Sequence, residues 1–206
     1  MNASRLPAGL YGIADAEASN GDPERLASAF LDGGARIVQL RCKGWAFEDE
    51  VAVGRRIAVR CEAVGAWLIG NDDPHRADAM GAHGLHLGQL DGPIAAARSV
   101  MGTRTIGRST HSVEQALQAQ TEGADYIAFG PCYATPHLSR PKPVRGIARL
   151  TEVAAAIERP LVAIGGITVE RLAEVRAAGA HAWAIIGAVA HADDPIAAAR
   201  ELNAPY

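Results

Sequence analysis

The sequence predicts a single α/β domain, a (β/α)₈ TIM barrel, and three observations support this prediction. Eight short apolar segments have the composition of parallel strands that are buried on both faces. Stretches with helical periodicity or helix-forming composition separate most of these segments, so strand and helix alternate along the chain. The length of 206 residues fits one domain that spans residues 1–206, with mostly short loops, because such barrels typically have about 250 residues.

A repeated motif marks the points where a helix ends and a strand begins. A glycine, usually followed by alanine, precedes an apolar run at Gly34, Gly81, Gly123 and Gly179. Glycine readily adopts the left-handed conformation that ends a helix. The motif therefore indicates repeated helix-to-strand junctions.

The eight predicted strands and the separating helices follow from these patterns. The strands are Leu10–Ala14, Ile37–Arg41, Trp67–Asn71, Gly84–Leu87, Thr105–Ser109, Tyr126–Gly130, Leu161–Gly165 and Ala182–Gly187. The main helices are Pro23–Asp32, Phe47–Val64, Ile94–Val100, Val113–Glu122, Ile147–Ile157 and Val169–Ala178, with a short helix between the third and fourth strands. An open doubly wound sheet is the second choice, because no G-x-G-x-x-G follows the first strand.

Composition limits the partners and the cellular location. The net charge of -3 argues against binding to nucleic acid or to an anionic membrane surface. No apolar run approaches the roughly 20 residues that span a bilayer, and the N-terminus lacks the apolar core of a secretory signal. Cys42, Cys61 and Cys132 have no metal-binding spacing and fit reduced thiols. We expect a cytoplasmic protein with small-molecule partners, and a homo-oligomer is left open.

Cationic and amide side chains follow one another at the end of the second predicted strand. Gln39, Arg41 and Lys43 alternate, so along an extended strand they share one face. Arginine offers a planar fork and lysine a point charge, and together they suit a diphosphate. A polar strand end hydrated by water is the other interpretation of this pattern.

Two carboxylates and a histidine lie at the ends of neighbouring strands. Asp72 and Asp91 end adjacent strands and could together ligate Mg²⁺, which prefers oxygen ligands and bridges to phosphates. Helix capping is the alternative role for such aspartates, and Asp72 precedes Asp73-Pro74. His111 follows the fifth strand, where it could transfer protons or serve as a structural hydrogen-bonding residue.

Glycines end the seventh and eighth strands, where barrels often bind phosphate. Gly165 and Gly166 allow close approach of an anion to backbone amides, and Gly187 fits the same site. A tight turn that needs glycine only for its dihedral angles is the alternative. The segment from Gly130 to Gly146 contains four prolines and is compatible with a lid or with a long surface loop.

Eight short motifs occur in an order and at spacings that match one known family: L-Y-G-I-A-D, V-Q-L-R-C-K, N-D-D, H-L-G-Q-L-D, S-T-H-S, F-G-P-C-Y-A-T-P, A-I-G-G-I and A-I-I-G-A-V. On these motifs the chain, from Leu10 to Pro195, resembles the thiamine phosphate synthase and thiazole tautomerase family. The resemblance implies a barrel that joins a hydroxymethylpyrimidine diphosphate to a thiazole phosphate, releasing pyrophosphate and forming thiamine phosphate.

The resemblance also implies roles for individual residues. Arg41 and Lys43 are implied catalytic groups that bind the pyrimidine diphosphate together with Gln39 and Asn71, and His111 is the candidate proton-transfer group. The metal ligands for Mg²⁺ are Asp72 and Asp91. Ser109 contacts the pyrimidine, and Thr135, Gly166, Ile186 and Gly187 line the thiazole phosphate site. His137 and Gly165 are further candidate substrate-binding residues.

Three departures from the family pattern keep alternatives open. The usual Thr-x-Thr-Lys reads Thr135-Pro136-His137-Leu138, so a lysine contact to the diphosphate is missing unless Arg140, Lys142 or Arg145 replaces it. Asn-Asp-Arg reads Asn71-Asp72-Asp73, and a common serine is Gly187. The alternatives are a thiazole tautomerase that uses His111 and a catalytically inactive barrel that binds the precursors.

Overall fold

The structure is a computed structural model that describes residues 6–135 and 143–204. Eight parallel strands form a closed barrel in chain order, and β1 pairs with both β2 and β8. The strands are β1 Gly9–Asp15, β2 Ile37–Arg41, β3 Trp67–Asn71, β4 Gly84–Leu87, β5 Thr105–Thr110, β6 Tyr126–Phe129, β7 Leu161–Ile164 and β8 Ala182–Ile185. The closed barrel confirms the predicted fold and excludes the open doubly wound sheet.

Helices connect successive strands around the outside of the barrel. They are α1 Pro23–Asp32, α2 Phe47–Val64, α3 Pro74–Ala79, α4 Ile94–Met101, α5 Val113–Thr121, α6 Ile147–Ala156, α7 Leu172–Ala177, α8 Gly187–Ala190 and α9 Pro195–Asn203. A 3₁₀ turn over Val169–Arg171 precedes α7, so the predicted helix there is divided. In the described part of the chain, no helix combines the length and apolar character that a bilayer crossing requires.

Aspartate followed by proline starts three of these helices. At α3, the carboxylate of Asp73 accepts hydrogen bonds from the N–H groups of His75 (2.8 Å) and Arg76 (3.3 Å), while Pro74 occupies the first helical position. Proline suits that position because the N–H it lacks would have no partner within the helix. The same pairs start the other two helices, at Asp22-Pro23 and Asp194-Pro195. Helices α8 and α9 were not predicted, although Asp194-Pro195 marks the start of α9.

The three predicted strands that ended in glycine stop one or two residues earlier in the structure. At the end of β7, Gly165 has a φ of +102° and Gly166 a φ of +62°, which a strand does not adopt. At the end of β8, Gly187 begins α8. The glycines at these strand ends therefore turn the chain away from the barrel and place loops at its mouth.

The hydrophobic core has two parts, one between strands and helices and one inside the barrel. The inner part contains Tyr11 and Tyr126, both fully buried. Gly107 makes room for the second of these rings, because a Cβ at Gly107 would lie 2.0 Å from Tyr126 Cζ. Within the described residues, every buried side-chain nitrogen and oxygen has a hydrogen-bond partner.

Candidate active site

Arg41, the cationic residue of β2, has an acidic partner to which the sequence pattern gave no role. Arg41 Nη1 forms an ion pair with Asp15 Oδ2 at the end of β1. Asp15 is almost fully buried, and its other oxygen accepts a hydrogen bond from the N–H of Ala18 (2.9 Å). The carboxylate is therefore fixed, and it holds one edge of the Arg41 guanidinium at the mouth of the barrel.

Lys43 does not share the strand face of Gln39 and Arg41, and that part of the prediction is wrong. β2 ends at Arg41, and the chain turns through Lys43 and Gly44, which has a φ of +82°. The lysine nevertheless reaches the same mouth, because its Nζ lies 3.7 Å from Asp72 Oδ2. Lys43 is thus placed at the mouth of the barrel by the turn that follows β2, and not by the strand itself.

Asp72 and Asp91 lie together, as their positions at the ends of adjacent strands predict. Their carboxyl groups are close enough to share a hydrogen bond. Burial, then the hydrogen bond to Asp91 and its charge, raise the pKa of Asp72 to about 6, although Lys43 and Arg41 oppose the shift. Two carboxylates in this arrangement repel each other when both are ionised, and a bound cation relieves that repulsion.

Capping does not explain Asp72. The cap of α3 is Asp73, whereas Asp72 adopts a φ of +64° that is uncommon for a residue other than glycine. Asp91 does not cap α4 either, because the residue at that position is Pro93. Its Oδ2 accepts a hydrogen bond from the N–H of Gly88 (2.6 Å), which orients the carboxylate within its own loop.

Arg108 holds the loop that carries Asp91. The guanidinium of this buried residue donates to the carbonyl oxygens of Gly88 and Gly92, both at 2.6 Å. Gln89 adds a further connection, since its Nε2 donates to the backbone carbonyl of Ser109. The loop between β4 and α4 is therefore attached to β5 at several points.

A continuous hydrogen-bond network crosses the inside of the barrel below the mouth. It involves one side chain from each of six consecutive strands: Tyr11, Gln39, Asn71, His86, Ser109 and Tyr126. Sequence reasoning assigned no role to the two tyrosines or to His86, because an aromatic residue within an apolar strand has the appearance of core. The network places Asn71 and Ser109, two predicted ligand contacts, at its two ends.

His86 is half-buried in this network, and neither ring nitrogen contacts a carboxylate there. Its Nδ1 lies 2.9 Å from Tyr126 Oη, and its Nε2 lies 2.9 Å from Ser109 Oγ. Burial first, and then the positive charge of Arg108, lower its pKa to about 4. The imidazole is therefore neutral at physiological pH.

His111 follows β5, as predicted, and is half-buried. Its Nδ1 contacts the carbonyl oxygen of Gly130 at 2.7 Å, and its backbone N–H donates to Gln115 Oε1 at 2.8 Å. Because a carbonyl only accepts, Nδ1 carries the proton in this contact. Nε2 has no hydrogen-bond partner within residues 6–135 and 143–204.

The predicted phosphate-site residues Gly165, Gly166, Ile186 and Gly187 lie where β7 and β8 end beside each other. The loop after β6 packs on this corner, with the N–H of Tyr133 donating to the carbonyl of Gly165 at 3.0 Å. A Cβ at Gly166 would lie 2.4 Å from the carbonyl oxygen of Ala134.

Backbone conformation and close packing thus already account for the two glycines at 165 and 166. The phosphate interpretation of this corner stays a prediction. Thr135 is the last residue described before residue 143, whereas His137, Leu138, Arg140 and Lys142 lie outside the described residues. Arg145 is described, and its N–H donates to the carbonyl oxygen of Pro131 at 2.8 Å.

The three cysteines are free and buried, as the prediction of reduced thiols requires. Burial raises the pKa values of the Cys42 and Cys61 thiols to about 12 and that of Cys132 to about 11. Thiols in this state are poor nucleophiles and poor metal ligands. The polar chemistry of the molecule is therefore carried by the carboxylates, cations and amides at the strand ends.

Fold and site together define the class of protein: a (β/α)₈ barrel enzyme with its polar site at the carboxyl ends of the strands. Residues 10–189 match the family described as thiamine monophosphate synthase, and the chain belongs to that family.

Similarity to individual relatives extends over almost the whole chain. A thiamine-phosphate synthase of Thermobifida fusca is 44% identical, covering 94% of this chain and 90% of the relative. One of Mycobacterium bovis is 40% identical, covering 98% and 97%. The solved structure of a thiamine phosphate pyrophosphorylase from Pyrococcus furiosus superposes with a TM-score of 0.87 at 31% identity, covering 95% of this chain and 93% of that one.

Proposed function

We propose that this chain is a thiamine phosphate synthase. It joins 4-amino-2-methyl-5-hydroxymethylpyrimidine diphosphate to 4-methyl-5-hydroxyethylthiazole phosphate, and releases pyrophosphate. The observation that carries the proposal is the pair of Asp72 and Asp91 beside Lys43 and Arg41, which combines a cation site with two positive charges. Family membership supports the same reaction.

Mg²⁺ is the metal that these residues suit. The donors are oxygen atoms of two carboxylates, and burial together with the neighbouring Asp91 raises the pKa of Asp72, so a bound cation would stabilise its ionised form. Asp72 and Asp91 would hold the ion, which supplies charge neutralisation to a diphosphate leaving group. No group of three or more His, Cys, Asp or Glu side chains suited to a metal occurs among the described residues, so water and phosphate oxygens would complete the coordination.

Arg41 and Lys43 would bind the diphosphate and stabilise the negative charge that develops as it leaves. Asp15 holds one edge of the Arg41 guanidinium and leaves its remaining N–H groups for phosphate oxygens. Lys43 lies next to Asp72 and would contribute a point charge close to the same oxygens. Most of the catalytic effect then comes from positioned charge rather than from proton transfer.

The chemistry itself needs no strong nucleophile or base from the protein. When pyrophosphate leaves, the bond between the pyrimidine methylene carbon and oxygen breaks, and the electron pair departs with the oxygen. The aminopyrimidine ring stabilises the methylene cation, and the thiazole nitrogen then supplies the pair for the new carbon–nitrogen bond. The buried thiols and neutral His86 agree with this assignment, since neither activates a nucleophile at the strand ends.

The thiazole phosphate would bind at the corner formed by the ends of β7 and β8. The loop after β6 fills the space beside Gly165 and Gly166, so the donors to phosphate oxygens would be backbone N–H groups near Gly166 and at Gly187, where α8 begins. Thr135 and Ile186 border the same region in our assignment. We also propose that the enzyme is cytoplasmic, because its three cysteines are free thiols.

Product analysis tests the proposal directly. Purified protein is mixed with both substrates and Mg²⁺, and thiamine phosphate and pyrophosphate are measured together. We expect equal amounts of the two products and none when either substrate is omitted. Tight binding of both precursors without any turnover would instead identify an inactive binding protein.

A thiazole tautomerase is the second candidate function, and the geometry of His111 favours it. With Nδ1–H directed to the Gly130 carbonyl, Nε2 is left with a lone pair that could accept a substrate proton. This function predicts isomerisation of a thiazole carboxylate phosphate without metal, which His111→Ala abolishes. Formation of thiamine phosphate that survives in His111→Ala would assign the histidine a structural role.

A further inference from the structure

With the amide groups of Gln39 and Asn71 oriented as in the structure, the network inside the barrel has one proton arrangement, which can be followed from its Asn71 end. Tyr11 Oη–H donates to Gln39 Oε1 at 2.8 Å, and Gln39 Nε2–H donates to Asn71 Oδ1 at 2.6 Å. A tyrosine hydroxyl has one proton, and Tyr11 donates its proton to Gln39. The 3.0 Å contact between the hydroxyls of Tyr11 and Tyr126 must therefore be donated by Tyr126.

The assignment of the hydroxyl protons also determines the tautomer of His86. Burial raises the pKa values of both tyrosines, so both keep their protons. Because Tyr126 donates its proton to Tyr11, its oxygen must accept the 2.9 Å hydrogen bond from Nδ1–H of His86. A neutral imidazole has one N–H, which leaves a lone pair on Nε2.

Ser109 is the end of the chain that faces the candidate site. Its Oγ lies 2.9 Å from His86 Nε2, and since that nitrogen has no proton, the serine hydroxyl donates to it. The proton of Ser109 is then committed, and only the lone pairs of Oγ are left for a ligand. A ligand group that meets Ser109 must therefore donate a hydrogen bond.

We propose that Tyr11, Tyr126 and His86 are positioning residues that fix Ser109 as a hydrogen-bond acceptor and so select an amino group over an oxo group on the pyrimidine. The proposal rests on the synthase function, in which the pyrimidine carries an exocyclic amine. An oxo analogue would bring its carbonyl oxygen against the lone pairs of Oγ. Sites that are built to pair with a substrate N–H reject analogues that lack it by large factors.

The first test needs no substrate. Long-range ¹H–¹⁵N NMR spectra of the uniformly ¹⁵N-labelled protein at pH 7 distinguish the two neutral tautomers of histidine, and the His86 signal is identified by its absence in His86→Gln. We expect the Nδ1–H tautomer. The Nε2–H tautomer, or a doubly protonated ring, would overturn the proposal.

The second test measures selectivity and uses a matched pair of buried hydroxyls. Wild-type protein should favour the 4-amino pyrimidine diphosphate over its 4-oxo analogue in kcat/KM by about 100-fold or more. Tyr126→Phe removes the acceptor for Nδ1–H, so the imidazole can turn its proton towards Ser109, and the preference should fall at least tenfold. Thr110→Val also removes a buried hydroxyl, one that donates to the Ala128 carbonyl at 3.0 Å outside the network, and should leave the preference unchanged.

An unchanged preference in Tyr126→Phe would overturn the proposed role of the chain in selectivity. If Tyr126→Phe does not fold, Tyr11→Phe interrupts the same chain one step further away and takes its place. If neither pyrimidine turns over, the synthase function fails, and calorimetric binding of the two pyrimidine diphosphates gives the preference instead. The NMR result is independent of all these outcomes.

Discussion

Arg108 holds Asp91 in place without touching it, by bonding to the carbonyls of Gly88 and Gly92 on either side of it. We predict that Arg108→Met loosens this loop and raises the Mg²⁺ concentration for half-maximal activity by about tenfold, as when groups that orient metal ligands are removed. A Mg²⁺ titration of pyrophosphate release measures this shift.

Arg104→Met is the control for the loss of a bonded arginine. Arg104 donates to the carbonyls of Met101 (3.0 Å) and Val100 (3.2 Å) at the end of α4, away from the loop that carries Asp91. The Arg104→Met variant should have a lower free energy of unfolding than the wild type and the same Mg²⁺ requirement. Equal Mg²⁺ requirements in the two variants would mean that Arg108 has no specific role at the metal site.

The lowered pKa of His86 predicts how the free energy of unfolding depends on pH. Its pKa is about 4 in the folded protein and about 6.5 in an unfolded chain, so between these values the unfolded state binds the extra proton. The free energy of unfolding of the wild type should therefore fall by about 2–3 kcal/mol from this histidine as the pH is lowered from 6.5 to 4. The His86→Gln variant should lack this contribution to the fall.

Urea unfolding of wild-type and His86→Gln proteins at several pH values, without metal, gives this difference. Asp72 acts in the opposite direction, because its raised pKa makes the folded state bind more protons, but it is present in both proteins and cancels. His75→Gln removes an exposed histidine and is the control. Parallel pH profiles for wild type and His86→Gln would contradict the prediction.

Alanine should destabilise the protein more at Gly166 than at Gly81, a glycine with a similar backbone conformation. Gly166 has a φ of +62° and Gly81 a φ of +73°, so alanine at either position carries a conformational cost of about 1–2 kcal/mol. Only at Gly166 would the new Cβ also meet the loop after β6, 2.4 Å from the Ala134 carbonyl oxygen. We expect Gly166→Ala to lose more unfolding free energy than Gly81→Ala and to raise KM for the thiazole phosphate. Equal losses would show that the loop does not pack closely there.

Much of this architecture follows from the sequence because buried parallel strands and glycine-ended helices have distinct patterns. The same patterns placed Asp72 and Asp91 at neighbouring strand ends, where they are found. The role of Asp72 could not be decided that way, because two aspartates precede Pro74 and either could cap a helix. In the structure Asp73 is the cap, and this leaves Asp72 at the mouth.

Other features depend on contacts between residues far apart in the chain. Asp15 and Arg41 are separated by 26 positions, and Tyr11 and Tyr126 by 115. No local pattern distinguishes a tyrosine that packs in the core from one that also orders a hydrogen-bond chain. Lys43 was misplaced for a different reason: the predicted strand already ended at Arg41, but its alternation was carried on into the turn that follows.

The pairing of Asp72 with Asp91 is the centre of the functional account, and Asp73 offers a matched comparison. Asp72→Asn and Asp91→Asn each remove one carboxylate charge from the proposed metal site. Asp73→Asn removes the neighbouring charge but keeps a side chain that caps α3 well.

The decisive measurement is the rate of pyrophosphate release with both substrates as a function of Mg²⁺ concentration in these three variants and the wild type. We predict that Asp72→Asn and Asp91→Asn lower kcat/KM by about 100-fold or more and raise the Mg²⁺ requirement. Asp73→Asn should retain the wild-type rate and metal dependence. Wild-type activity and an unchanged Mg²⁺ requirement in Asp91→Asn would contradict the assignment of the metal site.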